Sequence, residues 1–186
     1  MENCFFYTKD NSSFYLWFAS KKEIFVRSGI EEAKWYISQT IIWLKERIMF
    51  SPGQDYHRIY EPCYFGWKKG IKHFKNKGFD KGKWAEFILL NQESFEDWLD
   101  ILYEKRDKAV DYQHPTQKPI RLAERAIKKH SNRDDIVLEP FNGSGSTMMA
   151  CEQLERKCYA IELDPKFVDV AIKRWEQYTN NKAIKL

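Results

Sequence analysis

The feature that most restricts how this chain can fold is the run Glu139-Pro140-Phe141-Asn142-Gly143-Ser144-Gly145-Ser146-Thr147, set between two stretches of different character. Before it stands Ile136-Val137-Leu138, a short apolar and β-branched run that reads as a buried strand. After it, Thr147–Leu154 reads as a helix. Glycines at 143 and 145 permit the tight turn that joins a strand directly to a helix. Cys158–Leu163 (CYAIEL) then reads as a second strand, and Pro165–Tyr178 as a further helix started by an Asp164 cap. Strand, glycine turn, helix, strand, helix is a parallel βαβ pattern, so the class is α/β.

The same segment carries chemistry. Glycines let a ligand approach the backbone, and the start of the following helix offers free N–H groups. Glu162, at the end of the next strand and seventeen residues after Gly145, supplies a carboxylate able to accept hydrogen bonds from the two ribose hydroxyls of a nucleoside. No Lys-Ser/Thr follows the loop, which excludes a Walker A motif, and the third glycine of G-x-G-x-x-G is absent. A glycine turn alone often only connects two elements. With strand, loop, helix and acid in register, the pattern points to a nucleoside-containing cofactor. A nicotinamide-binding oxidoreductase remains an alternative.

Upstream, His114-Pro115-Thr116-Gln117-Lys118-Pro119-Ile120 leads into an apolar periodicity through Leu122, Ala123, Ala126 and Ile127, with Pro119 in the first helical turn. A hydroxyl, an amide and an ammonium at a helix start suit an anionic carboxylate, although such a string can equally be a helix cap. Earlier still, Ser13–Ala19 (SFYLWFA), Thr40–Lys45 (TIIWLK) and Glu61–Trp67 (EPCYFGW) read as strands, with a short helix expected over Glu31–Ser38 and a turn at Ser51-Pro52-Gly53-Gln54. Phe95, Trp98, Leu99 and Leu102 fall at helical spacing within Glu93–Lys105, predicting an amphipathic helix in a small inserted subdomain.

Hydrophobic residues at 43% and aromatics at 16% are enough for a real core. The formal net charge of +4 says less than its distribution: Lys68, Lys69, Lys72, Lys75, Lys77, Lys81 and Lys83 fall together with a single acid, Asp80. Such a cluster suits a polyanion such as double-stranded DNA, or is simply a solvated loop. Cys4, Cys63, Cys151 and Cys158 form no C-x-x-C pair, so free thiols and no metal site are expected. No apolar run reaches 18 residues and no signal sequence follows Met1, from which a cytoplasmic protein is expected.

HPTQKP, EPFNGSGST and AIELDP, in that order, resemble motifs ten, one and two of the β-group of DNA amino-methyltransferases. TIIWLK and DYHRIYEPCYFGWKKG are similar to the later catalytic-side motifs of the family's phage and prophage adenine enzymes. The resemblance covers residues 13–73 and 112–177. It implies a Rossmann-like S-adenosylmethionine-dependent methyltransferase fold with a mixed, mainly parallel sheet. Residues 1–67 would form the catalytic-side half, 68–113 a target-recognition insertion, and 114–186 the cofactor-binding half. It further implies that Glu139, Phe141, Asn142, Gly143, Ser144 and Gly145 line S-adenosylmethionine, that Glu162 holds its ribose, and that His114, Pro115, Thr116 and Lys118 face its methionine end. Asp55, Tyr56 and His57 match a string beside the family's target-base pocket, with a structural role equally open. Glu139 stands where the family usually has Asp, and Asn142 where Gly is frequent.

The family's catalytic string, Asp-Pro-Pro-Tyr or Ser-Pro-Pro-Tyr, occurs nowhere in residues 1–186. A sheet incomplete at the N-terminus and negligible methyl transfer by this chain alone are therefore expected, with three outcomes open: the two neighbouring strands close up, a second chain supplies the missing strand, or the chain is a decayed prophage remnant. A homodimer is the other partner open, and a cofactor- and DNA-binding subunit without turnover is the alternative function.

Overall fold

The computed structural model describes residues 1–49, 52–53, 55–76, 100–104 and 117–185. The chain divides into two compact units, Met1–Lys105 and Arg106–Leu186.

The first unit is built on a four-stranded sheet. Helix α1 (Glu2–Tyr7) precedes β1 (Ser13–Trp17); a 3-10 turn (Ser20–Lys22) leads into α2 (Glu23–Glu32); then come β2 (Trp35–Met49), β3 (Arg58–Lys68) and β4 (Ile101–Tyr103). The order across the sheet is β1-β3-β2-β4. β3 pairs antiparallel with both β1 and β2, while β4 adds to the far edge of β2 in parallel. The expected strands at 13–19, 40–45 and 61–67 are therefore all present, with β2 considerably longer than its apolar centre suggested.

Two expectations are corrected. The helix expected over Glu31–Ser38 lies earlier, at Glu23–Glu32. Lys34 takes a left-handed φ of 63°, which ends the helix and turns the chain so that Trp35 starts β2. What overrides the local helix-forming residues is burial of Trp35 in a core with Ile30, Ala33 and Tyr64, packed by Cys4, Phe5, Phe14, Leu16 and Val26. The amphipathic helix expected across Glu93–Lys105 is not formed at Ile101–Tyr103, where three residues pair with Ile42–Leu44 and bury Leu102. Most of that stretch, 93–99 and Lys105, lies outside the described residues.

Side chains alternate across the sheet as strand geometry requires. Tyr64 faces α2, its hydroxyl donating to Glu23 Oε1 at 2.6 Å and accepting from Arg27 at 3.3 Å, with Phe18 stacked on its ring. Phe65 and Trp67 face the other side with Tyr15, Tyr36 and His73, the Trp67 and His73 rings stacked 4.0 Å apart. Gly66 sits where a side chain would run into the Tyr36 carbonyl and the Phe14 ring, so the close approach of β3 to its neighbours depends on that glycine.

The second unit contains α3 (Ile120–His130), β5 (Ile136–Glu139), α4 (Ser146–Gln153), β6 (Lys157–Ala160) and α5 (Pro165–Thr179). β5 and β6 pair in parallel, from Ile136↔Lys157 to Glu139↔Ala160. This is the βαβ unit read from the sequence, with β6 ending at Ala160 rather than Leu163. Its core gathers Ile127, Ala150 and Cys151, with Ala123, Val137, Leu154 and Cys158 packed against them. Asp164 caps α5, Oδ1 accepting from the Lys166 N–H at 2.9 Å. Arg156 ties the ends of the elements together, donating to the Ser131 carbonyl at 2.9 Å, the Ser131 hydroxyl at 3.1 Å and the Leu154 carbonyl.

Candidate cofactor site

The glycine turn closes on itself and on β6. The Gly145 N–H donates to the Asn142 carbonyl at 2.9 Å, and the Met149 N–H to the Gly145 carbonyl at 2.9 Å, starting α4. Gly143 and Gly145 hold φ of 52° and 83°, the left-handed region that favours glycine. β6 continues the contact past its last ladder residue: Ile161 donates to the Glu139 carbonyl at 2.9 Å and its carbonyl accepts from Asn142 at 3.0 Å. That pairing delivers Glu162 to the turn, where Oε2 accepts from the Gly143 N–H at 2.7 Å and Oε1 from the Asp164 N–H at 3.0 Å. Two elements far apart in sequence thus present a glycine backbone and a carboxylate side by side, as the spacing predicts.

The other expected residues fall as follows. Glu139, at the end of β5, accepts from the Phe141 N–H at 2.9 Å, and the Phe141 ring is exposed beside the turn. The Oδ1 of Asn142 is buried without a hydrogen-bond partner, an unsatisfied acceptor within the turn itself. Lys118 is brought to the start of α4, its carbonyl accepting from the Ser146 hydroxyl at 2.8 Å, so the segment before α3 meets the glycine turn. His114, Pro115 and Thr116 lie outside the described residues. Ser144 is turned inward instead of lining an open site: it is 3% exposed, and its hydroxyl and carbonyl both meet Arg174 of α5. Arg174 was not legible as a site residue, because an arginine on an amphipathic helix reads as solvent-facing.

The residues fit a nucleoside cofactor. A polar, backbone-rich turn at a helix N-terminus stands beside a fixed carboxylate, and the orphaned Asn142 oxygen is an acceptor suited to an amino or hydroxyl donor. A hydrogen bond with Cys158, and then burial, push the Cys151 thiol of α4 up, which keeps it neutral.

In the first unit the expected DNA contacts separate. Lys68 is drawn into the fold: 3% exposed, its ammonium donates to the Thr8 carbonyl at 2.7 Å, lies 3.5 Å from the Asp10 carboxylate and sits over the Phe5 ring. A phosphate cannot reach it there. Lys69 and Lys72 are exposed and Lys75 half-buried in the turn after β3, whereas Lys77, Lys81 and Lys83 lie outside the described residues. Asp55, Tyr56 and His57 are exposed just before the other end of the 11-residue β3, roughly 33 Å away at strand rise. Lys69, Lys72 and Lys75 therefore do not share one local site with that string.

The family model of the N6_N4 DNA methylases matches residues 1–173. Among curated relatives, the type II methyltransferase M2.MboI of Moraxella bovis is 39% identical over 66 residues, which is 36% of this chain and 24% of that protein. The chain thus spans about a quarter of the length of that relative. Among solved structures, M1.HpyAVI in complex with S-adenosylmethionine (SAM) superposes with a TM-score of 0.71 at 26% identity, over 90% of this chain and 76% of that one. The cytosine-N4-specific PvuII DNA methyltransferase gives 0.68 at 18% identity, over 92% and 69%, a likeness of fold. The architecture is accordingly the Rossmann-like one of the SAM-dependent DNA methyltransferases.

Proposed function

The chain belongs to the N6_N4 DNA methylase family, and on that premise we propose that its second unit binds S-adenosylmethionine for methyl transfer to the exocyclic amino group of adenine in double-stranded DNA. The observation that carries this reading is the Gly143 N–H bonded to the Glu162 carboxylate beside the start of α4. The cofactor, when bound, supplies the methyl group on its sulfonium. Glu162 would hold the ribose hydroxyls, Glu139, Phe141, Asn142, Gly143 and Gly145 would line the nucleoside, and Lys118 with His114, Pro115 and Thr116 would face the methionine end. Glu162 is pre-set for this role because two backbone N–H groups fix its carboxylate before any ligand arrives.

Adenine as the target, and a phage-type lineage, rest on the similarity of TIIWLK and DYHRIYEPCYFGWKKG to the adenine enzymes of the family. Residues 68–113 would form the target-recognition insertion, with Lys69, Lys72, Lys75, Lys77, Lys81 and Lys83 meeting DNA phosphates in the cytoplasm. Because no Asp-Pro-Pro-Tyr or Ser-Pro-Pro-Tyr string occurs in residues 1–186, the methyl-accepting step requires a segment outside them, carried on the same polypeptide or on a second chain. That string's polar residue and tyrosine would hold and stack the extruded base.

Calorimetry with S-adenosylhomocysteine and, separately, NAD tests the cofactor. Heat with the first and none with the second is expected, and Glu162→Ala should weaken uptake at least tenfold. No heat with S-adenosylhomocysteine, or undiminished uptake by Glu162→Ala, would overturn the reading.

A further inference from the structure

Helix α5 lies directly under the glycine turn. A side chain at Gly145 would stand 3.1 Å from the Ala171 Cβ, so the turn rests on α5 at van der Waals contact. One helical turn further, Arg174 reaches the same turn and donates from Nη1 to the Ser144 carbonyl at 2.5 Å and to the Ser144 hydroxyl at 3.1 Å. Ala171 and Arg174 are three residues apart, hence on one face of the helix.

This is an unusual place for a guanidinium. The start of α4 carries the positive end of the helix dipole, which disfavours a cation. The Ser144 carbonyl and hydroxyl compensate by accepting charge-assisted hydrogen bonds, the stronger kind. The geometry leaves Asn142–Gly145 held at three points: Glu162 on the Gly143 N–H, the Asn142 carbonyl on the Gly145 N–H, and Arg174 on Ser144. Two of these hold the peptide joining Ser144 to Gly145, its N–H on the Asn142 carbonyl and its carbonyl on Arg174, and Arg174 is the one of the two that comes from outside the turn. If that peptide rotated, both bonds would be lost, and with them the turn geometry that leads into the start of α4, where the free N–H groups lie.

We propose that Arg174 is a positioning residue of the cofactor turn: it locks the Ser144 peptide so that the glycine backbone is pre-set for the nucleoside. The proposal rests on the cofactor reading above and names what holds that site in shape. Arg174 acts through Ser144 and touches no ligand in this role.

Arg156 provides a matched control. It too is half-buried and bonds two backbone carbonyls and a serine hydroxyl, but at Ser131 and Leu154, at the opposite end of α4 from the glycine turn. Dissociation constants for S-adenosylhomocysteine and melting temperatures should be measured for Arg174→Met, Arg174→Lys, Ser144→Ala, the Arg174→Met/Ser144→Ala double variant and Arg156→Met, with binding read well below each melting temperature. Arg174→Met should weaken binding at least tenfold and Arg174→Lys should recover part of the loss. The double variant should lose less than the sum of the singles, because both remove one contact. Arg156→Met should lower the melting temperature while leaving the dissociation constant within twofold. Equal binding by Arg174→Met and the unaltered chain, or an equal loss of binding in Arg156→Met, would overturn the proposal. Should Arg174→Met not fold, Arg174→Lys and Ser144→Ala decide: unchanged binding in both would overturn it, and weakened binding in both would support it. No binding by the unaltered chain overturns the cofactor reading and this one with it, whereas binding by that chain with no effect at Arg174 overturns this one alone.

Discussion

At the scale of single residues, physical constraints separate positions that look equivalent in sequence. Gly143 and Gly145 both read as turn glycines, but Gly145 combines a φ of 83° with a Cβ position 3.1 Å from Ala171. Gly145→Ala should cost about 1–2 kcal/mol for the left-handed backbone alone and more for the contact, read as a melting temperature several degrees lower. The lysine run divides in the same way. Lys68→Gln should destabilise the fold by roughly 1–3 kcal/mol, since the Thr8 carbonyl and Phe5 ring lose a charged partner, and leave the salt dependence of DNA binding unchanged. Lys69→Gln and Lys72→Gln should each reduce the log–log salt slope of DNA affinity by about 0.9 with no change in stability. His73 supplies a pH test. Burial against Trp67, then the nearby Lys75 and Lys72 charges, push its imidazole below the usual 6.5. The unfolded chain then binds this proton at higher pH than the folded one, so stability present above about pH 6.5 is lost as the pH falls below it. Thermal melts between pH 7 and pH 5 should show that loss, and His73→Gln should shrink it.

At the scale of elements, legibility followed how local the determining interaction was. Ile136–Glu139, Ser146–Gln153 and Pro165–Thr179 were readable because caps, glycines and apolar periodicity lie within each segment. The boundary between α2 and β2 was not, because Glu31 and Glu32 are good helix formers and the decision falls to Trp35, which is buried against residues from α1 and β1. β4 departs from the helical expectation for a related reason: Leu102 is apolar at helical spacing, yet the edge of β2 supplies a parallel partner that local periodicity does not reveal. Two substitutions test the elements. Asp164→Ala removes the α5 cap and should cost about 1 kcal/mol, measured by chemical denaturation. Gly66→Ala puts a methyl group into the Tyr36 carbonyl and Phe14 ring, and should disrupt the β3 ladders enough to lower expression of folded protein or broaden the amide spectrum.

At the scale of the whole molecule, each of the two units has its own core and its own sheet. The proposed division of labour predicts that the 186 residues alone bind S-adenosylhomocysteine but transfer no labelled methyl group from S-adenosylmethionine to duplex DNA, and that adding a segment bearing Asp-Pro-Pro-Tyr restores incorporation; robust transfer by the chain alone would refute this division. The sequence by itself determined the βαβ order of the second unit, the glycine turn and the pairing of that turn with Glu162, because each depends on residue type at short fixed spacing and on the parallel register that such a unit imposes. Only the tertiary structure decided that Lys68 is internal, that Asp55–His57 and Lys69, Lys72 and Lys75 stand at opposite ends of β3, and that Arg174 bonds Ser144 of the turn. Those outcomes depend on which backbone carbonyls and ring faces the fold places within reach of a long cationic side chain. No local pattern encodes that choice, since a lysine or arginine offers the same stem and charge to solvent or to a buried acceptor.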